Sequence, residues 1–221
     1  MSQKTVGIIH TSFVSVNDLK QLFAQIVPEV RLLNIVDDSL LSEVMAHGSV
    51  TPGVLRRMCS YAATLQDLGV DLILNQCSSV GEAAEHAAAL LSVPVLRIDQ
   101  PMAQKAAEIG SRIALVATVA STVEVSVRLL EREAARAGRQ ATVVPHLVDG
   151  ALDMLLNRGD RETHNRLVLG EIRRAEKDSD VIVLAQGSMV VLLPLLSHTA
   201  VPVLTSPRLA VERVRQMLFP A

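Results

Sequence analysis

The sequence predicts an α/β protein built from two similar open parallel-sheet halves. Three observations predict it. The chain matches itself four times in the same order, each half alternates short β-branched runs with longer helical patterns, and 221 residues divide into two halves of about 100 residues with a terminal helix left over. A chain of this length hides roughly 70% of its unfolded surface, so either one large domain or two small ones can be stable.

The self-matches run as follows. VGIIHTS at 6–12 resembles RIALVATVAST at 112–122, and IVDDSL at 35–40 resembles LVDGAL at 147–152. DLILNQCSSV at 71–80 resembles DVIVLAQGSMV at 180–190, and SVPVLRID at 92–99 resembles AVPVLTSP at 200–207. The offsets are 107 from Thr11 to Thr118, 112 from Val36 to Val148, 110 from Cys77 to Gly187 and 108 from Pro94 to Pro202. Apolar strands look alike, so the shared order at nearly one offset carries the argument. Strands alternating with helices form βαβ units and a parallel sheet, which makes each half flavodoxin-like. The predicted halves are 1–98 and 99–207, joined near Asp99 to Arg112, with the helix at 208–221 packed on the first. Facing each other across a pseudo-twofold axis, they would place one site in the cleft between them, at the carboxyl ends of the strands.

Taken in order, the opening apolar run at 6–12 reads as a strand, and Leu19, Leu22, Phe23, Ile26 and Val27 then fall on one helical face. Asp37 and Asp38 follow a second strand, where they either line the cleft or cap the next helix. Met45 to Thr51 has the glycine and small polar residues of a mobile lid, from which His47 could reach the cleft. Thr51-Pro52 supplies an N-cap and a proline at the first helical position for a helix bearing Val54, Leu55, Met58, Ala62 and Leu65 on one face. Cys59 lies inside that helix and reads as a small core residue. The strand at 71–74 ends in Asn75-Gln76-Cys77-Ser78-Ser79, followed by an alanine-rich helix in which Ser79 and Glu82 have capping-box spacing. In the second half, Ser121 and Glu124 repeat that spacing. From 181 to 207 the pattern reads as a buried strand, a short helix and another strand. Gln186, Gly187, Ser188, Pro194, Ser197, His198 and Pro202 interrupt it too often for a membrane span.

Composition excludes several functions. The 21 basic side chains are outnumbered by 23 acidic ones with no Lys/Arg cluster, and four aromatics (Phe13, Phe23, Tyr61 and Phe219) make a poor base-stacking surface, so nucleic acid is not expected as a partner. The start lacks a continuous apolar core of a signal peptide, and Cys59 and Cys77 have neither disulfide-framework nor metal spacing, so a reducing cytoplasm is expected.

Chemistry is expected in the loops after the strands. Cys77 sits in a turn between a strand and a helix N-terminus, where the dipole and free N–H groups favour a thiolate. Asn75, Gln76, Ser78 and Ser79 around it argue against apolar burial. In the matching loop, Gln186, Gly187, Ser188 and Met189, a glycine stands where this alignment places the cysteine. His10, Thr11 and Ser12 follow the first strand, and Thr118, Ser121 and Thr122 follow its counterpart; hydroxyls and backbone amides in such loops suit a carboxylate or phosphate. His10 is a candidate acid/base or carboxylate partner, or simply a core histidine.

These residues resemble a family, the aspartate/glutamate/hydantoin racemase superfamily of cofactor-independent enzymes. The resemblance spans nearly the whole chain through the two-half repeat, VGIIHTS, IVDDSLLSEVMAHGSVTPGVLRR, and the NQCSS and AQGSM loops. It implies opposed thiols, one per half, acting on either face of a carbon next to a carboxylate, and it implies a homo-oligomer and no metal or organic cofactor. Cys77 matches the first thiol, and Gly187 is read as replacing the second. Inversion needs acid/base groups on both faces, and an unassisted Ser188 hydroxyl is too weak a base, so a two-thiol amino-acid racemase is disfavoured. Three readings follow: an isomerase whose second acid/base is His10 or His47, a lyase resembling arylmalonate decarboxylases that needs one protonation by Cys77, or a non-catalytic carboxylate-binding protein.

Overall fold

The computed structural model describes residues 3–220. Met1 and Ser2, at the start of the predicted first half, and Ala221, at the end of the predicted terminal helix, lie outside the described residues.

The chain forms two compact units. One runs up to Pro101 and resumes at Pro207; the other is Met102–Ser206. In the first unit β1 (Thr5–His10), β2 (Arg31–Val36), β3 (Leu72–Asn75) and β4 (Val95–Arg97) pair in parallel in the order β2-β1-β3-β4. In the second, β5 (Arg112–Ala117), β6 (Thr142–Leu147), β7 (Val181–Leu184) and β8 (Val203–Thr205) repeat that order as β6-β5-β7-β8, again all parallel. The two central strands of each sheet are buried throughout except at the first residue of β1 and β5, as expected of parallel strands covered on both faces.

Alternation along the strands sorts the first unit's core onto two faces. Val6, Ile8, Leu72 and Leu74 meet Leu19 and Phe23 of α1 (Val14–Ile26) and Ala210, Val211 and Val214 of α9 (Ser206–Leu218). Ile9 and Ile73 meet α2 (Ser39–His47), α3 (Pro52–Asp67) and α4 (Gly81–Ala88) through Leu40, Val54, Met58, Leu65 and Ala84. Gly7 lies on this second face, where a Cβ would run into Leu65, so its lack of a side chain lets α3 approach β1. α5 (Gln100–Ile109) carries the chain to the second unit. There Ala114, Val116, Ile182 and Leu184 pack on α7 (Ala151–Leu156) and α8 (Arg161–Ala175) through Ala151, Val168 and Ile172, while α6 (Ala120–Arg136) buries Leu129, Leu130 and Ala134.

Corresponding polar clamps fasten the opposite ends of the strands. Asp71 accepts from Lys4 Nζ (2.6 Å) and the Thr5 N–H (2.8 Å), and Asp180 accepts from the N–H groups of Ser111 and Arg112 (3.0 and 2.9 Å) and from the Arg112 guanidinium. Each carboxylate thus ties the start of a third strand to the start of its neighbouring first strand. The hydrogen bonds of Arg112, first its side chain and then its backbone, outweigh desolvation and bring the Asp180 carboxyl from 3.8 down to about 2.

Two expectations for local structure change. The predicted lid does not begin at Met45: α2 continues through His47, and Gly48, at φ 75°, ends it in the left-handed conformation that glycine adopts freely. The helices after these loops do not start at the serines with capping-box spacing. The N-cap of α4 is Val80 after a 3₁₀ turn at Ser78–Val80, and the N-cap of α6 is Val119, so Ser121 lies inside the first turn of its helix. Thr51 does cap α3, accepting from the Val54 N–H at 3.1 Å.

Candidate active site

A parallel sheet ordered 2-1-3-4 has its topological switch between the first and third strands, and ligands bind in the crevice beyond their carboxyl ends. In the first unit that crevice is framed by His10, Thr11 and Ser12 after β1 and by Asn75 to Ser79 after β3. The Gln76 N–H donates to the Ile9 carbonyl at 3.0 Å, which joins the two loops at their root. Cys77 has an extended backbone, is half-buried, and packs against the core cluster that includes Val80 and Ala83. Asn75 is fully buried; its Nδ2 donates to the Cys77 carbonyl at 2.9 Å and thereby fixes the loop on which the thiol stands. The other amide atom, Oδ1, is buried and has no hydrogen-bond partner among the described residues. Thr11, Ser78 and Ser79 are buried beside this loop, whereas Ser12 and Gln76 are half-exposed.

His10 is completely buried at the end of β1. Its Nε2 lies 2.9 Å from Asn34 Oδ1, an acceptor, so the network assigns the ring proton there and leaves Nδ1 to accept from the Ser15 hydroxyl at 3.3 Å. Burial lowers its pKa despite the Asn34 bond, which makes it a neutral structural imidazole at pH 7. His47 is exposed at the end of α2, its Nδ1 2.9 Å from the Glu43 carbonyl. Asp37 follows β2 and accepts from the Ser39 N–H (3.0 Å), the Tyr61 hydroxyl (2.8 Å) and Arg57 (3.4 Å). Desolvation raises its pKa, but the Ser39 and Tyr61 hydrogen bonds outweigh it and the net shift is downward.

The second unit repeats the frame with different contents. Thr118 follows β5 in the position of Thr11, and Thr118 and Thr122 are buried. Ser121 Oγ is buried without a hydrogen-bond partner among the described residues. The loop after β7 holds Gln186, half-buried, whose Oε1 accepts from the Thr118 N–H at 2.9 Å and from its hydroxyl at 3.2 Å, while Nε2 is buried without a hydrogen-bond partner among the described residues. Gly187 is half-buried and Ser188 exposed. Met189 is a correction: its side chain is fully buried in the core and its N–H donates to the Gln186 carbonyl at 3.1 Å, so neither is available to a substrate.

Strand register also corrects the match between the loops. β1 and β5 correspond at an offset of 107, Val6 to Ile113, and β3 and β7 at 109, Leu72 to Val181. Backbone bonds keep this count beyond the strands: Gln76 N to Ile9 O in one unit is Ala185 N to Val116 O in the other. The next residue is Cys77 in the first and Gln186 in the second, and each is the extended N-cap of a 3₁₀ helix. Gln186, not Gly187, therefore holds the counterpart position of Cys77, and Gly187 corresponds to Ser78.

Sequence reasoning missed the buried charges behind the Cys77 loop. Arg97, at the end of β4, forms two hydrogen bonds to Asp99 (3.0 and 2.7 Å) and one to Glu85 (2.7 Å). Its guanidinium lies over Gly81, the first residue of α4, where a Cβ would collide with it. The alternation Arg97-Ile98-Asp99 was visible, but only the fold turns both charges inward. Among the described residues, no group of three or more His, Cys, Asp or Glu side chains is placed to hold a metal, and no helix is long and apolar enough to cross a membrane.

A model of the family described as Asp/Glu/Hydantoin racemase matches residues 6–214. No curated protein matches the chain. Among solved structures, a protein of Yersinia pestis assigned as an Asp/Glu racemase superposes with a TM-score of 0.77 at 17% identity, covering 97% of this chain and 99% of that one. Allantoin racemase from Klebsiella pneumoniae gives 0.67 at 20% identity, covering 97% and 87%. A cysteine-for-glycine mutant of arylmalonate decarboxylase, in a sulfate-associated form, gives 0.60 at 18% identity over 98% and 94% of the two chains.

Proposed function

Because the chain belongs to the Asp/Glu/hydantoin racemase family, we propose that it is a cofactor-independent enzyme that uses Cys77 as its single catalytic thiol. It transfers a proton at the carbon next to the carboxylate of a small acid. Thr11, Ser12, Ser78 and Ser79, in the loops beside Cys77, bind carboxylate oxygens and stabilise the enediolate-like charge. The observation that carries this reading is Cys77 itself, half-buried at the switch point of its sheet, on a loop pinned by Asn75, with a non-titratable glutamine at its counterpart position.

A proton moved by one thiol reaches one face of the carbon. The ionised thiol takes a proton from the substrate to give an enediolate; after the thiol proton exchanges with solvent, delivery of the new proton to the same face gives exchange with solvent without inversion. The experiment is incubation of a panel of small 2-substituted carboxylic acids in deuterated water. Deuterium should enter beside the carboxylate, and Cys77→Ser should lower the rate at least about 100-fold while leaving the fold intact. Undiminished activity in that variant would sink the proposal.

The lyase reading is favoured by the same glutamine. Loss of CO₂ from a malonate leaves an enediolate that needs one protonation on one face, so Cys77 as donor suffices. Labelled product with release of CO₂ identifies that branch.

A further inference from the structure

We propose that the face of α8 carrying Arg166, Leu169 and Arg173 binds an elongated organic dianion, an aliphatic α,ω-dicarboxylate whose two ends meet arginines and whose methylene chain lies on leucines. The proton-transfer chemistry of Cys77 does not require this site, and every residue that forms it belongs to the second unit.

A cavity of about 570 Å³, within the ~300–1,000 Å³ range of small-molecule sites, opens between α8 and the 3₁₀ segment Gly187–Leu195. Arg161, Asn165, Arg166, Leu169 and Arg173 come from the helix, and Leu195 from the segment. The three arginines are exposed, and their guanidiniums make no hydrogen bond or ion pair with any described residue. Arg174, next in the chain but outside the cavity, does find a carboxylate, reaching Glu171 at 2.9 Å. Asn165 Oδ1 is engaged by the buried His164 ring, 2.9 Å from its Nδ1, so the amide NH₂ is the group left for a ligand. Arg161 is the first residue of α8, where a cation runs against the helix dipole and an anion is favoured.

Spacing and charge set the class of the occupant. Arg166, Leu169 and Arg173 stand at i, i+3 and i+7, one row along the helix, which puts two cations about 10 Å apart along the axis with an apolar residue between them. Leu195, 59% exposed, adds a second apolar surface. The ligand is therefore charged at both ends and apolar in the middle. Three guanidiniums and the Glu162 carboxylate leave the cavity lining a net charge of +2. Two carboxylates neutralise that charge, whereas two phosphates, at about −1.5 to −2 each, overshoot it.

The test uses the full chain and suberate, with octanoate and malonate for comparison, and reads binding by calorimetry at pH 7.5 and low ionic strength. Suberate should bind about tenfold tighter than octanoate, which has the same chain with one charged end, and than malonate, which is too short to span the row. Arg173→Met should weaken suberate about tenfold and bring it to the level of octanoate, a loss of discrimination that unfolding would not produce. Arg174→Met removes the same charge one residue outside the cavity and should leave suberate affinity within about twofold. Suberate bound no tighter than octanoate or malonate, or bound equally well by Arg173→Met, or weakened as much by Arg174→Met as by Arg173→Met, overturns the inference. Suberate held in the Cys77 crevice instead would show as the second of these outcomes.

Discussion

Individual residues show how the same polar side chains divide between holding the fold and meeting a ligand. His10, a candidate acid/base by position, is spent on Asn34 and Ser15. Its pKa is lowered by burial, so as pH falls below the ordinary value of 6.5 the unfolded chain takes up a proton that the folded one refuses. Stability should be fully present above pH 6.5 and decline below it. The urea midpoint should fall between pH 7.5 and 5.5, and less so in His10→Gln. Arg97 is a structural charge by the same logic. With Asp99 buried beside it, Arg97→Ala leaves an uncompensated carboxylate and should cost about 3–5 kcal/mol, measured by urea unfolding at neutral pH. Gly81→Ala forces the guanidinium from its place and should cost about 1–3 kcal/mol in the same assay.

At the level of elements, the alternation of apolar runs locates the strands, and the repeat locates their partners. The caps were less legible. A Ser with Glu three residues later starts a helix only if the Ser backbone is extended, and here Cys77, Val119 and Gln186 take the extended conformations, which moves the helix starts away from Ser79 and Ser121. The clamps at the other end of the sheets were not legible either, since Asp71 and Asp180 read as solvent-side charges until the strands pair. Asp180→Asn should destabilise the protein at pH 7, because the carboxyl's lowered pKa gives a stabilisation present above pH 3.8 and lost as pH falls to about 2. The difference in acid-unfolding curves from the unmodified protein, followed by circular dichroism, should close over that window.

For the whole molecule, the last helix contributes to the first unit's core although it follows the second in sequence. Ala210, Val211 and Val214 are fully buried against Val6, Ile8 and Leu74. Tyr61 is the only tyrosine and there is no tryptophan, so intrinsic emission comes from the first unit alone. Val211→Ala should shift the Tyr61-detected urea transition to lower concentration, by an amount equivalent to about 2 kcal/mol. A transition left in place would separate α9 from that core.

The sequence by itself determined the α/β class, the duplication, the strand ends and the cysteine worth testing, because hydrophobic period and repeated order survive without knowledge of contacts. Only tertiary structure decided which residue faces the role of Cys77 in the second unit. Matching serine to serine selected Gly187, whereas hydrogen-bond register, which sets where a side chain stands, selected Gln186. Register is a property of paired strands, and a one-residue shift changes the chemistry of a site while leaving the likeness of two loops almost unaltered.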